Sequence, residues 1–328
     1  MIDLDSPEYL PFELDPALGR VTLLRMSEAD YRAASFLDQR MLGPNSTLIE
    51  TEWDKLILPA DARRDVQYIF HIGNVGSTLI SRLLGELPGI FALREPLLLR
   101  AFAADPPDAA GFGRLTALLS RTFRTGQRAN VKATSFTSEI ADRLLPPGSK
   151  ALFLYARPDR YLENILAGEN SWQTLQALSP IRLARLQRRC PGLEADLATM
   201  HDGLRAALGW ACEMTSLEAA AARMPDNAIS WLDFDIFLAD PLRHFTAIAA
   251  HFGHEVDEAT ARAIVEGPLM GRYSKALDYE YSPKLRREIL ADARFRHGQA
   301  IRDALNWLGG LASRYPAVAD AIRRTRGT

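Results

Sequence analysis

The stretch Val66-Gln67-Tyr68-Ile69-Phe70-His71-Ile72-Gly73-Asn74-Val75-Gly76-Ser77-Thr78-Leu79-Ile80-Ser81-Arg82-Leu83-Leu84 decides how this chain is read. Tyr68 to Ile72 is a short apolar run with β-branched and aromatic residues, the pattern of a buried strand. Gly73 and Gly76 bound a tight turn. Leu79, Ile80, Leu83 and Leu84 then recur at helical spacing on one face. Strand, glycine turn and helix in this order can form an anion cradle. The first-turn N–H groups of a helix have no internal partner, and the helix dipole adds positive potential there. Glycines let the backbone approach a phosphate closely, and Ser77 and Thr78 can add hydroxyl donors. The same pattern also serves as an ordinary strand-to-helix turn, because a short glycine turn is a weak motif. A triphosphatase loop would read G-x-x-x-x-G-K-[ST]. Here His71 stands at the first glycine and Ser77 at the lysine. A magnesium-dependent kinase or hydrolase with a degenerate loop is therefore the weaker alternative. The cradle suits a nucleotide whose reactive group is not a γ-phosphate.

Working outward, residues 89–93, 130–134, 151–155 and 228–232 repeat the short apolar strand pattern, with helical stretches between them. Such alternation predicts an α/β fold: a five-stranded parallel sheet with helices on both faces. Ligands of these sheets bind at the carboxyl ends of the strands. The loop 73–78, Glu95, Lys132 and Arg157 therefore fall along one edge. Pro96 is expected to hold Glu95 extended and to open the next helix. Residues 1–25, with Pro7, Pro11 and Pro16, read as an irregular arm. Ser27 is expected to cap a helix running to Met41 and stopped by Gly43-Pro44. The chain thus divides into an arm and helix, 1–65, packed on a main domain, 66–328, with a helical insertion at about 171–224 and C-terminal helices. Arg182, Arg185, Arg188 and Arg189 form a basic helical stripe, read as a solvated face.

At 328 residues, 47% hydrophobic and 24% charged, the chain can build a core and is not disordered. A net charge of −2 gives no reason to expect nucleic-acid binding. Cys190 and Cys212 make neither a disulfide framework nor metal-ligand spacing, which suits a reducing compartment. The acidic N-terminus has no apolar signal segment, and no run is apolar enough to span a bilayer. A cytoplasmic protein without a membrane span is expected. His251 and His254 lack the carboxylates of a metal site, and Gly253 between them reads as a helix C-cap; no metal is expected.

Four elements resemble the sulfotransferase superfamily, in an outlying bacterial branch with P-loop-like topology. They are the loop His71-Ile72-Gly73-Asn74-Val75-Gly76-Ser77-Thr78-Leu79, Arg94-Glu95-Pro96, Tyr155-Ala156-Arg157-Pro158 through Asn164, and Trp231-Leu232-Asp233-Phe234-Asp235 followed by Asp240-Pro241. The resemblance covers about residues 66–275. It implies a metal-free enzyme whose donor is 3′-phosphoadenosine 5′-phosphosulfate (PAPS). Gly73, Asn74, Val75, Gly76, Ser77 and Thr78 would hold the 5′-phosphosulfate, and Arg157 and Asn164 the 3′-phosphate. The family usually has lysine or arginine where Asn74 stands. Lys132 is the candidate replacement cation, with a plain strand-end lysine as the alternative. The family also has a late glycine- and cation-containing segment over the 3′-phosphate. Arg272, Ser274 and Lys275, after Gly271, match it, with a surface loop as the alternative.

Sulfuryl transfer resembles phosphoryl transfer: catalysis is mostly positioning and electrostatics. The acceptor hydroxyl or amine must lose a proton as it attacks. Glu95, at a strand end beside the cradle, is the candidate base, or a structural partner of Arg94. His71 is the second candidate, inside a strand pattern that favours packing or one donated hydrogen bond. The acceptor, whether small molecule, carbohydrate or peptide, is not legible. A non-catalytic nucleotide-binding protein of the same fold stays open, because the loop has no cation.

Overall fold

The computed structural model describes residues 4–273, 278 and 280–326. Strands β1 (Tyr9–Asp15) and β2 (Arg20–Arg25) pair antiparallel; after helix α1 (Glu28–Ala33), β3 (Leu48–Glu52) pairs with β2. The second sheet starts with β4 (Gln67–His71), α2 (Ser77–Leu84), β5 (Ile90–Arg94), α3 (Leu98–Ala104), α4 (Ala109–Leu119) and β6 (Arg128–Lys132). It continues through α5 (Ala141–Leu144), β7 (Ala151–Tyr155), α6 (Pro158–Leu166), α7 (Glu169–Arg189), α8 (Asp202–Ala221) and β8 (Ile229–Asp233). Helices α9 (Phe234–Ala239), α10 (Pro241–His251), α11 (Glu258–Val265), α12 (Pro283–Arg296), α13 (Gly298–Ala312) and α14 (Pro316–Arg324) complete it.

The five strands of this sheet are parallel throughout and lie in the order β5-β6-β4-β7-β8, surrounded by helices. The strand bearing the glycine turn is therefore central. Every residue of β4, β5 and β7 is buried, as expected of parallel strands covered on both sides. Phe70, Phe153 and Trp231 stack edge-on across three neighbouring strands, with ring centroids 5.7 and 5.0 Å apart. Removing the Phe153 ring would cost about 3–5 kcal/mol. Among the described residues no helix is long and apolar enough to cross a membrane.

Local signals behave as their chemistry requires. Ser27 and Asp30 form a reciprocal capping box on α1. Asp240 caps α10, with Pro241 at its first turn. Gly253 has φ +82°, and the pair Gly253 N–H to Ala250 and His254 N–H to Ala249 closes α10.

Four expectations need correction. The arm is not irregular: β1 and β2 occupy it, and Pro11 sits where the register shifts, so the missing N–H costs no regular ladder bond. The helix from Ser27 ends at Ala33, and only a short 3₁₀ turn, Gln39–Met41, follows. Glu95 is not extended. Its φ is +52°, held by its N–H on the Lys132 carbonyl at 2.7 Å, and α3 begins only at Leu98. The arginine stripe is not a solvated face. Arg182 and Arg185 are buried, with Arg182 3.6 Å from the buried Glu213, and Arg189 binds Glu139, Thr215 and the Cys212 carbonyl. Burial raises the Glu213 carboxyl above its ordinary range, against the pull of Arg182. Arg94, buried, spends its guanidinium on the carbonyls of Tyr31, Arg32 and Ala34, tying α1 to β5 rather than pairing Glu95.

Candidate functional site

The carboxyl edge of the parallel sheet opens into a cavity of about 330 Å³. Its floor is the turn between β4 and α2. Gly73, Asn74 and Gly76 all have positive φ, +86°, +54° and +70°, so the turn coils tightly before α2 begins. Asparagine tolerates this region and glycine prefers it. His71 accepts the Gly73 N–H on Nδ1 at 3.0 Å; the neutral ring then carries its proton on Nε2. It therefore accepts a bond from the turn, where the sequence suggested packing or a donated bond. Asn164 on α6 donates its side-chain amide to the Asn74 carbonyl and fixes the turn from the other side.

Gly76 is required twice over. A Cβ there would sit 2.0 Å from Cε2 of Phe234, the first residue after β8. Gly76→Ala is expected to cost about 2–5 kcal/mol, combining a left-handed backbone with overpacking. Denaturant titration checks this. Gly73→Ala, with nothing closer than Ser135 Oγ at 3.6 Å, is expected to cost only the backbone share, about 1–2 kcal/mol. Equal losses at the two glycines would show that Phe234 is not the constraint.

Ser77 and Thr78 open α2 on this floor. Thr78 Oγ1 is buried with no hydrogen-bond partner among the described residues. An orphaned hydroxyl beside unpartnered first-turn N–H groups is the donor set an oxyanion fits. On the β5–β6 side lie Glu95 and Lys132. The Lys132 ammonium is hydrogen-bonded to the Glu95 carboxylate; the two side chains are 1% and 12% exposed. Lys132 also lies 5.3 Å from the centroid of Phe36. On the β8 side Arg286 of α12 enters the cavity, held 2.7 Å from Asp235, and Arg272 lines it nearby.

The cavity thus brings together Gly73, Asn74, Val75, Gly76, Ser77, Thr78, Glu95, Lys132, Asn164 and Arg272. Arg157 is not among its lining residues: it is exposed at the start of α6 and pairs with Asp159 at 3.0 Å. Ser274 and Lys275 lie outside the described residues. The sequence reading missed Arg40, Arg100 and Arg286, which line the cavity too. Arg100, one helix turn past Glu95-Pro96, was within reach of spacing arguments; Arg40 and Arg286 come from distant segments and leave no local signal. Among the described lining residues, Arg40, Arg100, Lys132, Arg272 and Arg286 accompany a single carboxylate, Glu95, and Asp38 behind Arg40 and Arg100 and Asp235 behind Arg286 offset only part of that charge. That excess suits a polyanionic ligand. No group of three or more histidine, cysteine or carboxylate side chains gathers as a metal site among the described residues.

No family model and no curated protein matches the sequence. Solved structures similar to it include a sulfotransferase from Mycobacterium avium, at TM-score 0.42 and 13% identity, over 72% of this chain and 77% of that one. A mouse sulfotransferase complexed with PAP aligns at TM-score 0.43 and 14% identity, over 81% of this chain and 90% of its own. A sulfotransferase from Alicyclobacillus acidocaldarius aligns at 0.37 and 16%, over 73% and 96%.

Proposed function

We propose that this chain transfers a sulfuryl group from PAPS to a hydroxyl or amine. The observation that carries the reading is the buried Lys132–Glu95 pair opening into the same cavity as a lysine-free anion cradle. A loop without lysine suits a donor with no γ-phosphate. The cation that the resembling family keeps in the loop has a counterpart on the neighbouring strand, since Lys132 pairs with Ile69 of β4 in register.

PAPS, when bound, supplies the activated sulfuryl group and a phosphate leaving group. The N–H groups of Ser77 and Thr78, with the Thr78 hydroxyl, would hold the phosphosulfate. Arg286 and Arg272 offer cations for the remaining phosphate on the β8 side. Glu95 accepts the acceptor's proton. That proton neutralises the carboxylate and releases the Lys132 ammonium from its partner. The freed charge then lies in the cavity where negative charge grows on the leaving oxygen. The two buried free cysteines fit a reducing, cytoplasmic setting.

The test is PAPS turnover against a panel of alcohols, phenols and amines, with adenosine 3′,5′-bisphosphate binding measured with and without EDTA. Binding insensitive to EDTA is expected, whereas a requirement for magnesium would return the kinase reading. Bisphosphate binding with no turnover on any acceptor would leave a non-catalytic nucleotide-binding protein. Ser77→Glu is expected to abolish the bisphosphate-induced thermal shift in a folded protein, because it sets a negative charge where an anion belongs. An undiminished shift would remove the cradle from the site.

A further inference from the structure

On the β5–β6 side of the cavity two guanidinium groups, Arg40 and Arg100, stand beside the Lys132–Glu95 pair. Arg40 lies over the Phe36 ring at 3.5 Å and binds Asp38 through Nε at 2.8 Å and Nη2 at 2.5 Å. Arg100 of α3 shares that one carboxylate, 3.7 Å away, and its guanidinium donates no hydrogen bond among the described residues. Asp38 is buried. Burial alone would raise its carboxyl, but the bonds from Arg40 and the charges of both arginines hold it below its ordinary value. It therefore stays ionised and cancels one of the two arginines. Lys132 and Glu95 cancel each other. Among the described residues one positive charge is left over, on guanidinium groups whose side chains remain 57% and 50% exposed and line the cavity.

Strand order separates this charge from the cradle. Glu95 follows β5, an outer strand; Lys132 ends β6; the cradle follows β4 in the middle; Arg286 is held by Asp235, just after β8, the other outer strand. A donor anchored in the cradle has Arg286 and Arg272 on one side. Glu95, the base, stands on the opposite side, with Arg40 and Arg100 beside it. Arg40 is close enough for the Glu95 charge to raise its basicity, after the larger effect of its bond to Asp38.

We infer that the acceptor carries an anionic group of its own, a carboxylate or a phosphate, a few atoms from its reacting hydroxyl. Arg100 and Arg40 bind that group, and Phe36 supplies an apolar wall. The inference rests on the sulfuryl-transfer reading and adds the substrate class. Planar guanidinium groups on exposed stems suit such an oxyanion through paired N–H donors.

Matched acceptors test it: 4-hydroxyphenylacetate against 4-hydroxyphenylacetamide for a carboxylate, and glycerol 3-phosphate against glycerol for a phosphate. In at least one pair the charged member is expected to have kcat/KM about ten- to a hundredfold higher. Which pair shows the preference identifies the anion. Arg100→Gln should collapse that ratio toward unity, and Arg100→Lys should restore part of it. Equal kcat/KM within both pairs overturns the inference while leaving sulfuryl transfer intact. So does an Arg100→Gln variant that keeps the ratio, or one that instead loses affinity for adenosine 3′,5′-bisphosphate, since Arg100 would then serve the donor. If no acceptor turns over, the thermal shift given by each compound alone decides the matter. Stabilisation by a charged member that is lost in Arg100→Gln supports an acceptor-side anion site even though transfer fails. Its absence rejects the acceptor-side anion site, while the sulfuryl-transfer reading stands or falls on donor binding and turnover.

Discussion

Lys132→Met is expected to lower the melting temperature by roughly 4–7 °C and turnover by about 10²–10³-fold. The first effect follows from burial: breaking a buried ion pair by removing one partner costs about 3–5 kcal/mol, because the other charge is left without compensation. The carboxylate that loses its Lys132 partner here is Glu95, 12% exposed. The second effect follows from losing a fixed cation where charge develops. The double variant Lys132→Met/Glu95→Gln separates the two. It has no stranded charge, so most of the stability should return, while turnover should stay low. A double variant as unstable as the single one would mean that Lys132 stabilises by packing rather than by its pair. Thermal denaturation and steady-state rates, measured on all four members of the cycle, provide the check.

Glu95→Gln is expected to cut turnover by about 10²-fold or more while leaving bisphosphate affinity nearly unchanged. Glutamine keeps the shape and can still accept a bond from Lys132, but it cannot take a proton. Backbone geometry supports a functional role at this position. A non-glycine residue at φ +52° directly before a proline carries roughly 1–3 kcal/mol of strain, which persists only where the surroundings enforce it. Here the Lys132 carbonyl and ammonium hold both ends of the residue. Parallel loss of binding and turnover would make Glu95 a structural partner of Lys132; near-normal turnover would instead shift the base role to His71, which could take a proton only after its Nδ1 lets go of the Gly73 N–H.

The parallel sheet was legible because its strands are buried on both sides and so read as unbroken apolar runs. The strand at 151–155 was located to the residue; the others were displaced by one or two residues at most. The antiparallel sheet near the N-terminus was not legible. Prolines ordinarily mark irregular chain, and nothing local says that Pro11 will fall at a register shift. Charge misled for a related reason. Arg182 and Arg185 sit on a helix whose spacing is compatible with solvent, and only the third dimension supplies Glu213 opposite them. The cavity divides in the same way. Residues next to strand ends, such as Glu95 and Lys132, could be proposed from position alone. Arg40 and Arg286 could not, because their neighbours in the cavity come from remote stretches of chain.

The contact between Gly76 and Phe234 also bears on the order of assembly. β4 is the first strand of the parallel sheet to leave the ribosome and takes the central place, while β8, the last, closes an outer edge. Phe234 follows β8 directly and packs against the turn that follows β4. The turn therefore acquires its aromatic backing only after the final strand has docked, a long-range closure of the slow kind. A nascent chain halted before Phe234 would contain every residue of the loop but lack the wall that shapes it. On the proposed reading, nucleotide capture would come late in synthesis, only after the last strand has completed the sheet.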